Sequence, residues 1–251
     1  MTLPRTPSLR LDGRRAFVPG GSRGIGLACS MALAEAGAHV VLAARSADEV
    51  RGAADAITAA GLSAEGVVLD VVDLTRLEAV LDSHGPFDIL CNSAGVARHG
   101  PADETAPEDF DFVVDLNLKA AYFMAQRVAR RMAHGGSIIQ ISSQMGHVGG
   151  VDRAVYCATK HGVEGMTKAM AIEWGPRNIR VNTICPTFIK TPLTEATFAK
   201  PERRAWIEEK IKLPRIGEVE DIMGPVVFLA SDASAMVTGT SLLVDGGWTA
   251  D

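Results

Sequence analysis

Aromatic side chains are scarce in this 251-residue chain: they make up 5% of it and include only two tyrosines. Apolar residues still reach 47%. A core drawn from small and β-branched residues suits helices packed closely on a parallel sheet. Positive charge is not in surplus either. Twenty-five Lys and Arg against 30 Asp and Glu leave a net charge of −5, which argues against a nucleic-acid-binding surface. No apolar run approaches the ~20 residues of a membrane helix. Residues 1–13 are polar and proline-bearing, unlike a signal sequence, so no membrane association and a cytoplasmic location are expected. The four cysteines, Cys29, Cys91, Cys157 and Cys185, have no metal-ligand spacing; they read as buried reduced thiols, and no metal is expected. No linker, composition break, internal repeat or low-complexity tail divides the chain, so residues 1–251 are expected to form one domain.

Two motifs stand out from this composition. Tyr156 and Lys160 lie four residues apart, thirteen residues after Ser143. Positions i and i+4 share a helix face, so the Lys160 ammonium can lie beside the Tyr156 phenol. A phenol with a pKa of about 10 is a poor base at neutral pH. A neighbouring cation that lowers it brings it into the range proton-transfer catalysis needs.

The second motif begins with a short apolar run, Ala16 to Val18, that reads as a buried strand. Gly20, Ser22, Arg23, Gly24, Ile25 and Gly26 follow, and then an Ala-rich helix that stops at Gly37. Gly20 permits a tight turn, Gly24 lets the backbone approach a pyrophosphate, and Gly26 lets the helix pack closely on the sheet. The helix N-terminus would face the phosphates. The spacing is G-x-x-x-G-x-G rather than the G-x-G-x-x-G fingerprint, but strand, glycines and helix together predict a dinucleotide site.

Strand-like runs lie near 15–19, 39–44, 66–70, 87–91, 136–142, 179–184 and 241–245. Helical patterns lie near 24–36, 47–60, 74–83, 108–133, 154–174, 201–211 and 218–231. This alternation predicts an α/β fold with a doubly wound parallel sheet and helices on both faces. Ligands of such sheets bind beyond the carboxyl ends of the strands. Ser22, Asn92 and Ser143 each follow a strand and should gather on one rim.

Together these motifs resemble the short-chain dehydrogenase/reductase superfamily over nearly the whole chain. The stretch from Leu90 to Gly95 is similar to the family's Asn-Asn-Ala-Gly segment. Asp115 to Lys119 is similar to the segment carrying its active-site asparagine, and Ile138 to Ser143 to the strand ending in its catalytic serine. Arg180 to Pro186, Ile189 to Thr191 and Val244 to Gly247 complete the pattern. The resemblance implies a Rossmann-like, seven-stranded sheet in the order 3-2-1-4-5-6-7. It also implies a catalytic set of Asn117, Ser143, Tyr156 and Lys160. Tyr156 would exchange a proton with the substrate, and Ser143 would hydrogen-bond the developing alkoxide. Lys160 would lower the phenol pKa and hold the nicotinamide ribose. Asn117 would bind a water linking Lys160 to solvent.

Cofactor choice turns on the end of the second strand, where an acidic residue would grip a ribose 2′-hydroxyl and repel a 2′-phosphate. In the family's register Ala44 and Arg45 stand there. With Arg23 in the glycine loop, they predict NADP(H). The alternative is that Arg45 stacks on adenine and Arg23 points into solvent, which leaves NAD acceptable. The resemblance also assigns Asp70 and Val71 to the adenine, and Asn92, Ala94 and Gly95 to the cofactor ribose side. Pro186, Ile189 and Thr191 go to the nicotinamide end. Three departures stand out: Pro19 for the family's threonine, Ser93 for its second asparagine, and Thr187 for the glycine after Pro186. Pro19 could change how the glycine loop is held.

Substrate contacts are expected from Gln144, His147 and Phe188, with Met145, Val148, Arg98 and His99 nearby. Each polar one could equally be a surface or structural residue. Residues 192–212, charged and bounded by prolines, read as a lid over the site or as an ordinary surface helix pair. The expected substrate is a small molecule, a sugar, polyol or sugar acid whose secondary alcohol and ketone are interconverted. An alternative is a 3-oxoacyl-carrier-protein reductase, with Arg127, Arg130 and Arg131 receiving an acidic carrier or forming a solvated face. A non-enzymatic nucleotide sensor is the reading from another class. By resemblance the chain is a homotetramer, with helices near 108–133 and 154–174 at one interface and the C-terminal Gly246–Asp251 segment, anchored by Trp248, at another.

Overall fold

The central strands of this chain are apolar on both sides, which a sheet tolerates only when helices cover both faces. The computed structural model, which describes residues 2–250, has that arrangement; Met1 and Asp251, the ends of the expected 1–251 domain, lie outside the described residues. Seven strands form one parallel sheet: β1 (Arg15–Pro19), β2 (His39–Ala44), β3 (Ala64–Val68), β4 (Ile89–Asn92), β5 (Gly136–Ile141), β6 (Ile179–Pro186) and β7 (Ser241–Val244). Their order is β3-β2-β1-β4-β5-β6-β7. The reversal between β1 and β4 opens a crevice at the carboxyl ends of the strands, where such sheets bind ligands.

Strand residues alternate between two cores, as the two-residue period requires. Ala16, Val18, Val40 and Leu42 pack with α1 (Gly24–Glu35), α2 (Ala47–Ala59) and a helix near the C-terminus, Glu220–Ala230. Phe17, Val41 and Ala43 face the other way, toward α3 (Leu74–His84) and the long helices that follow β4 and β5. Local signals set the boundaries. Ser46 caps α2 by accepting from Glu49 N–H at 3.3 Å, and Asp73 caps α3 by accepting from Arg76 N–H at 2.9 Å.

The pattern expected to give one helix over 108–133 is interrupted. Helix α4 (Pro107–Val114) runs into a π turn at Asp115–Ala120 and then into α5 (Ala121–Arg131). Helix α6 (Ala154–Trp174) follows β5, and the 192–212 segment folds as α7 (Glu195–Phe198) and α8 (Pro201–Lys210) before α9 (Glu220–Ala230). These last two short helices rest on a small cluster of Ile207, Ile211, Ile216 and Trp248. Trp248 corrects the expectation that it anchors a subunit contact. It is 8% exposed, turned inward against Phe188 (ring centroids 5.7 Å) and Trp206 (5.1 Å). Among the described residues no helix is long and apolar enough to cross a membrane.

Candidate active site

The glycine turn after β1 is a place where side chains do not fit. A Cβ on Gly26 would meet Gly20 O at 2.0 Å, and one on Gly20 would meet Ala94 N at 2.8 Å. Gly20 and Gly24 also adopt φ of +76° and +53°, conformations that glycine reaches without strain. Pro19 does not disturb this turn. It ends β1, and the N–H groups of Gly20 and Gly21 reach Ala43 O at 2.8 and 3.3 Å, so the ladder loses no donor it needs.

From this turn a cavity of about 690 Å³ runs along the carboxyl rim to Ser143 and Tyr156. At one end its wall contains Ser22, Arg23, Gly24, Ile25, Arg45 and Glu49. Asp70, Val71, Ala94 and Gly95 line it as well. Pro186, Ile189 and Thr191 also line it, Thr191 beside the glycine turn, 3.5 Å from where a Cβ on Gly24 would stand. Asn92 is not on the wall. Its Nδ2 donates to Gln140 Oε1 at 2.8 Å and its Oδ1 accepts from Ala94 N at 3.2 Å, so it shapes the loop after β4 from behind.

No acidic side chain follows β2; Ala44 and Arg45 stand there, and among the described residues no carboxylate lies within 4.0 Å of Arg45. Arg23 is different. It pairs with Glu49 at 3.6 Å, and Glu49 also accepts from Ser22 Oγ at 3.3 Å. The expected second positive charge is therefore shared with a carboxylate on the same wall. At the far end Gln144 Oε1 and Thr187 Oγ1 are buried without a hydrogen-bond partner, polar atoms that a bound group can satisfy. A glycine cradle and a free guanidinium at one end of the cavity fit a phosphorylated dinucleotide lying along the rim.

Ser143 lies just past the end of β5, and its Oγ accepts from Met145 N at 3.1 Å. Tyr156 and Lys160 share the cavity face of α6 and line it together with Ser143. Burial raises the Tyr156 phenol above its ordinary pKa, while the Ser143 hydroxyl and the Arg153 charge pull it back. Lys160 is held on the same wall. Its Nζ donates to Ile141 O at 3.0 Å and sits 5.6 Å from the Tyr156 ring centroid, and burial brings its own pKa down to about 8. A second cation, Arg153, stands one turn before Tyr156, and its charge favours the phenolate.

Asn117 stands in the π turn, where widened helical geometry often accompanies functional sites. Its carboxamide is spent on the backbone of Val96, with Nδ2 donating to Val96 O and Oδ1 accepting from Val96 N, both at 2.8 Å. The side chain is thus a brace for the loop after β4. Its Oδ1 and Lys160 Nζ nevertheless both flank Gly95, at 3.4 and 3.9 Å from the place a Cβ would occupy.

Of the substrate candidates, Gln144, Phe188 and His99 line the cavity and His147 does not. The His147 ring turns away to Cys185 and Glu164, with Nε2 3.5 Å from Sγ and 3.7 Å from Oε2. Glu164 is buried and also accepts from Thr183 Oγ1 at 2.9 Å and from Ser241 Oγ. Burial, with the Glu164 charge, pushes the Cys185 thiol up to about 12, so it stays protonated. Arg98 is also off the wall, 3.7 Å from Asp109. The residue that sequence reasoning missed is Arg153, a buried guanidinium on the cavity wall. The basic face at Arg127 and Arg131 is not free: both pair with Glu78 at 2.6 Å.

Residues 20–249 match the sequence profile of the family described as enoyl-(acyl carrier protein) reductase. The chain is 38% identical to D-erythrulose reductase of Gallus gallus, covering 96% of this chain and 98% of that one. It is 39% identical to gluconate 5-dehydrogenase of Gluconobacter oxydans, over 95% and 96% of the two chains. Among solved structures, a gluconate 5-dehydrogenase from Burkholderia cenocepacia in complex with NADP and tartrate superposes with a TM-score of 0.94. Its identity is 36%, over 97% of this chain and 98% of the other. With the strand order, the glycine cradle and the serine–tyrosine–lysine wall already in place, the chain belongs to the short-chain dehydrogenase/reductase superfamily.

Proposed function

We propose that this protein is an oxidoreductase that interconverts a secondary alcohol and a ketone on a sugar, polyol or sugar acid, with NADP(H) as hydride carrier. The observation that carries the reading is the single cavity that joins the glycine turn and Arg45 at one end to Ser143, Tyr156 and Lys160 at the other. Relatives named for erythrulose, gluconate and xylulose chemistry support the substrate class, and neighbours with bound NADP support the cofactor.

A bound nicotinamide dinucleotide would supply the hydride acceptor or donor. The protein's own part is proton transfer and alignment. In oxidation the Tyr156 oxygen, as phenolate, takes the proton of the substrate hydroxyl; in reduction the phenol gives it back. Ser143 Oγ donates to the oxygen on which negative charge develops. Lys160, held against Ile141 O, presents its remaining ammonium hydrogens to the cofactor ribose. Asn117 holds the β4 loop that forms part of the wall. Gln144 and Phe188 contact the substrate, and the α7–α8 segment, whose approach contributes Leu193, Thr194 and Thr197 to the wall, acts as its lid.

The exposed apolar residues Phe110, Phe112, Tyr122 and Ile172 on α4, α5 and α6 support a homotetramer, which light scattering at the monomer mass would remove. Four free, buried cysteines support a reducing, cytoplasmic setting. The engagement of Arg127 and Arg131 by Glu78 weighs against docking of an acidic carrier protein.

The test follows absorbance at the reduced-nicotinamide band with ketoses, polyols, sugar acids and acyl thioesters, each with NADP(H) and NAD(H). Turnover of a hydroxylated substrate supports the reading. Turnover confined to acyl thioesters favours the carrier-protein alternative, and binding of nucleotide with no turnover at all favours a sensor.

A further inference from the structure

Arg153 is 9% exposed, an unusual state for a guanidinium. It precedes the first residue of α6, three positions before Tyr156, and lines the cavity beside it. Its Nη1 donates to Val151 O at 2.9 Å, and its Cζ lies 5.6 Å from the centre of the Phe188 ring. Among the described residues no carboxylate stands within 4.0 Å of it. The adjacent Asp152 reaches Arg203 instead, at 3.7 Å. A buried cation without a counter-ion is costly unless an anion completes it. Arg153 therefore has one fixed hydrogen bond, an aromatic ring against its plane, and donors left over on the side of the cavity.

We infer that Arg153 is the anchor for a substrate carboxylate, so that the preferred substrates of this cavity are polyhydroxy acids and not neutral polyols. This rests on the reading given under the proposed function and narrows its substrate class. Arg153 stands three positions before Tyr156, at the start of α6, and both line the same cavity wall. A carboxylate on Arg153 would hold the reacting carbon, a few bonds away, toward Tyr156 and Ser143. Planar, paired hydrogen bonds suit a guanidinium to a carboxylate. Gln144 Oε1 and Thr187 Oγ1, orphaned in the same wall, are acceptors for the hydroxyls between. His99 packs edge-on to Tyr156 with ring centroids 5.9 Å apart. Burial, and then the Arg153 charge, lower its pKa, so at neutral pH it adds a neutral hydrogen-bonding group to the wall beside Arg153.

The test uses matched aldonate and alditol pairs of four to six carbons, which differ only in a carboxylate for a hydroxymethyl group. NADP-dependent kcat/KM is measured for the wild type, Arg153→Lys and Arg153→Met. The wild type is expected to favour the aldonate of its best pair. Arg153→Met should reduce that preference about 100-fold, mainly through KM, and Arg153→Lys should recover part of it. The alditol serves as the internal control for folding and for the effect of Arg153 on Tyr156, which moves both substrates together. An alditol preference in the wild type, or a preference ratio within twofold in Arg153→Met, overturns the inference and leaves the proposed function standing. If no alcohol is oxidised and no ketone reduced, the proposed function falls. Calorimetric titration of the NADP-loaded protein with aldonates and tartrate then decides: binding lost in Arg153→Met supports the anchor, and no binding, or binding indifferent to Arg153, overturns it.

Discussion

Asn117 grips Val96 by both edges of its peptide, each bond 2.8 Å long, across 21 residues of chain. One carboxamide thereby fixes the π turn between α4 and α5 against the loop after β4, and with it Gly95 in the cavity wall. Asn117→Ala should leave a partly buried N–H and C=O without partners and cost about 1–3 kcal/mol of stability. Asn117→Asp keeps the acceptor for Val96 N–H but turns a carboxylate oxygen toward Val96 O, so it should be no better than alanine. Urea melts of the three proteins check the order. Equal stability of all three would mean the brace is not needed.

Tyr156 carries the proton in the proposed reaction, and its phenol is pushed up by burial and pulled down by Ser143 and Arg153. Oxidation needs the phenolate, so kcat/KM in that direction should climb as pH rises through the alkaline range. Reduction needs the phenol and should fall over the same range. Tyr156→Phe should lose about 100- to 10,000-fold in kcat with cofactor binding retained. Arg153→Met removes a charge that favours the phenolate, and its oxidative pH profile should move to higher pH. A profile that moves to lower pH would refute this account of how the phenol is tuned.

The sheet was legible because each of its central strands is a run of small and β-branched residues between turn signals, and all seven appear close to the expected bounds. The glycine cradle was legible for a steric reason: at Gly20 and Gly26 nothing but hydrogen fits. The π turn at Asp115–Ala120 was not, since its local sequence is a good helix and the clasp that accompanies it comes from Val96. His147 was misassigned for a similar reason. It follows β5 as a substrate residue would, but its ring turns to Cys185, 38 positions away, and to the buried Glu164. Arg153 passed unnoticed because an arginine near a helix start usually stays in water. Only packing against Phe188 and the cavity wall reveals that this one is buried.

Cofactor choice should depend on Arg45 and Glu49 in opposite senses. Among the described residues no carboxylate lies within 4.0 Å of Arg45 at the end of β2, and Arg45→Glu should lower kcat/KM for NADP about 10- to 100-fold relative to NAD. Glu49 draws on Arg23 at 3.6 Å and on Ser22 at 3.3 Å, setting a negative charge on the same wall. Glu49→Gln should release Arg23 and lower KM for NADP more than for NAD. Steady-state kinetics with both cofactors distinguish the two effects. A Glu49→Gln protein that binds NADP less well would show that the carboxylate positions Arg23 and does not compete with the phosphate.

Lys160 has a consequence for stability that is separate from catalysis. Burial lowers its pKa from 10.5 to about 8 in the folded chain, opposed by the Glu164 carboxylate. A base whose folded pKa is depressed binds fewer protons folded than unfolded between those two values. Stability then rises with pH across that window, since the unfolded chain holds the extra proton. Below pH 8 both states carry the charge, and the folded state bears the full penalty of burying it, roughly 3 kcal/mol on the scale of 1.4 kcal/mol per unit. Lys160→Met removes the titration. The variant should therefore exceed the wild type in stability at pH 7, with the gap narrowing as pH rises from about 8 toward 10.5. Denaturant midpoints for the two proteins at several pH values measure the difference directly, with other titrating groups cancelling between them. A gap that stays constant across the window would show that the Ile141 carbonyl, at 3.0 Å, compensates the buried ammonium in full.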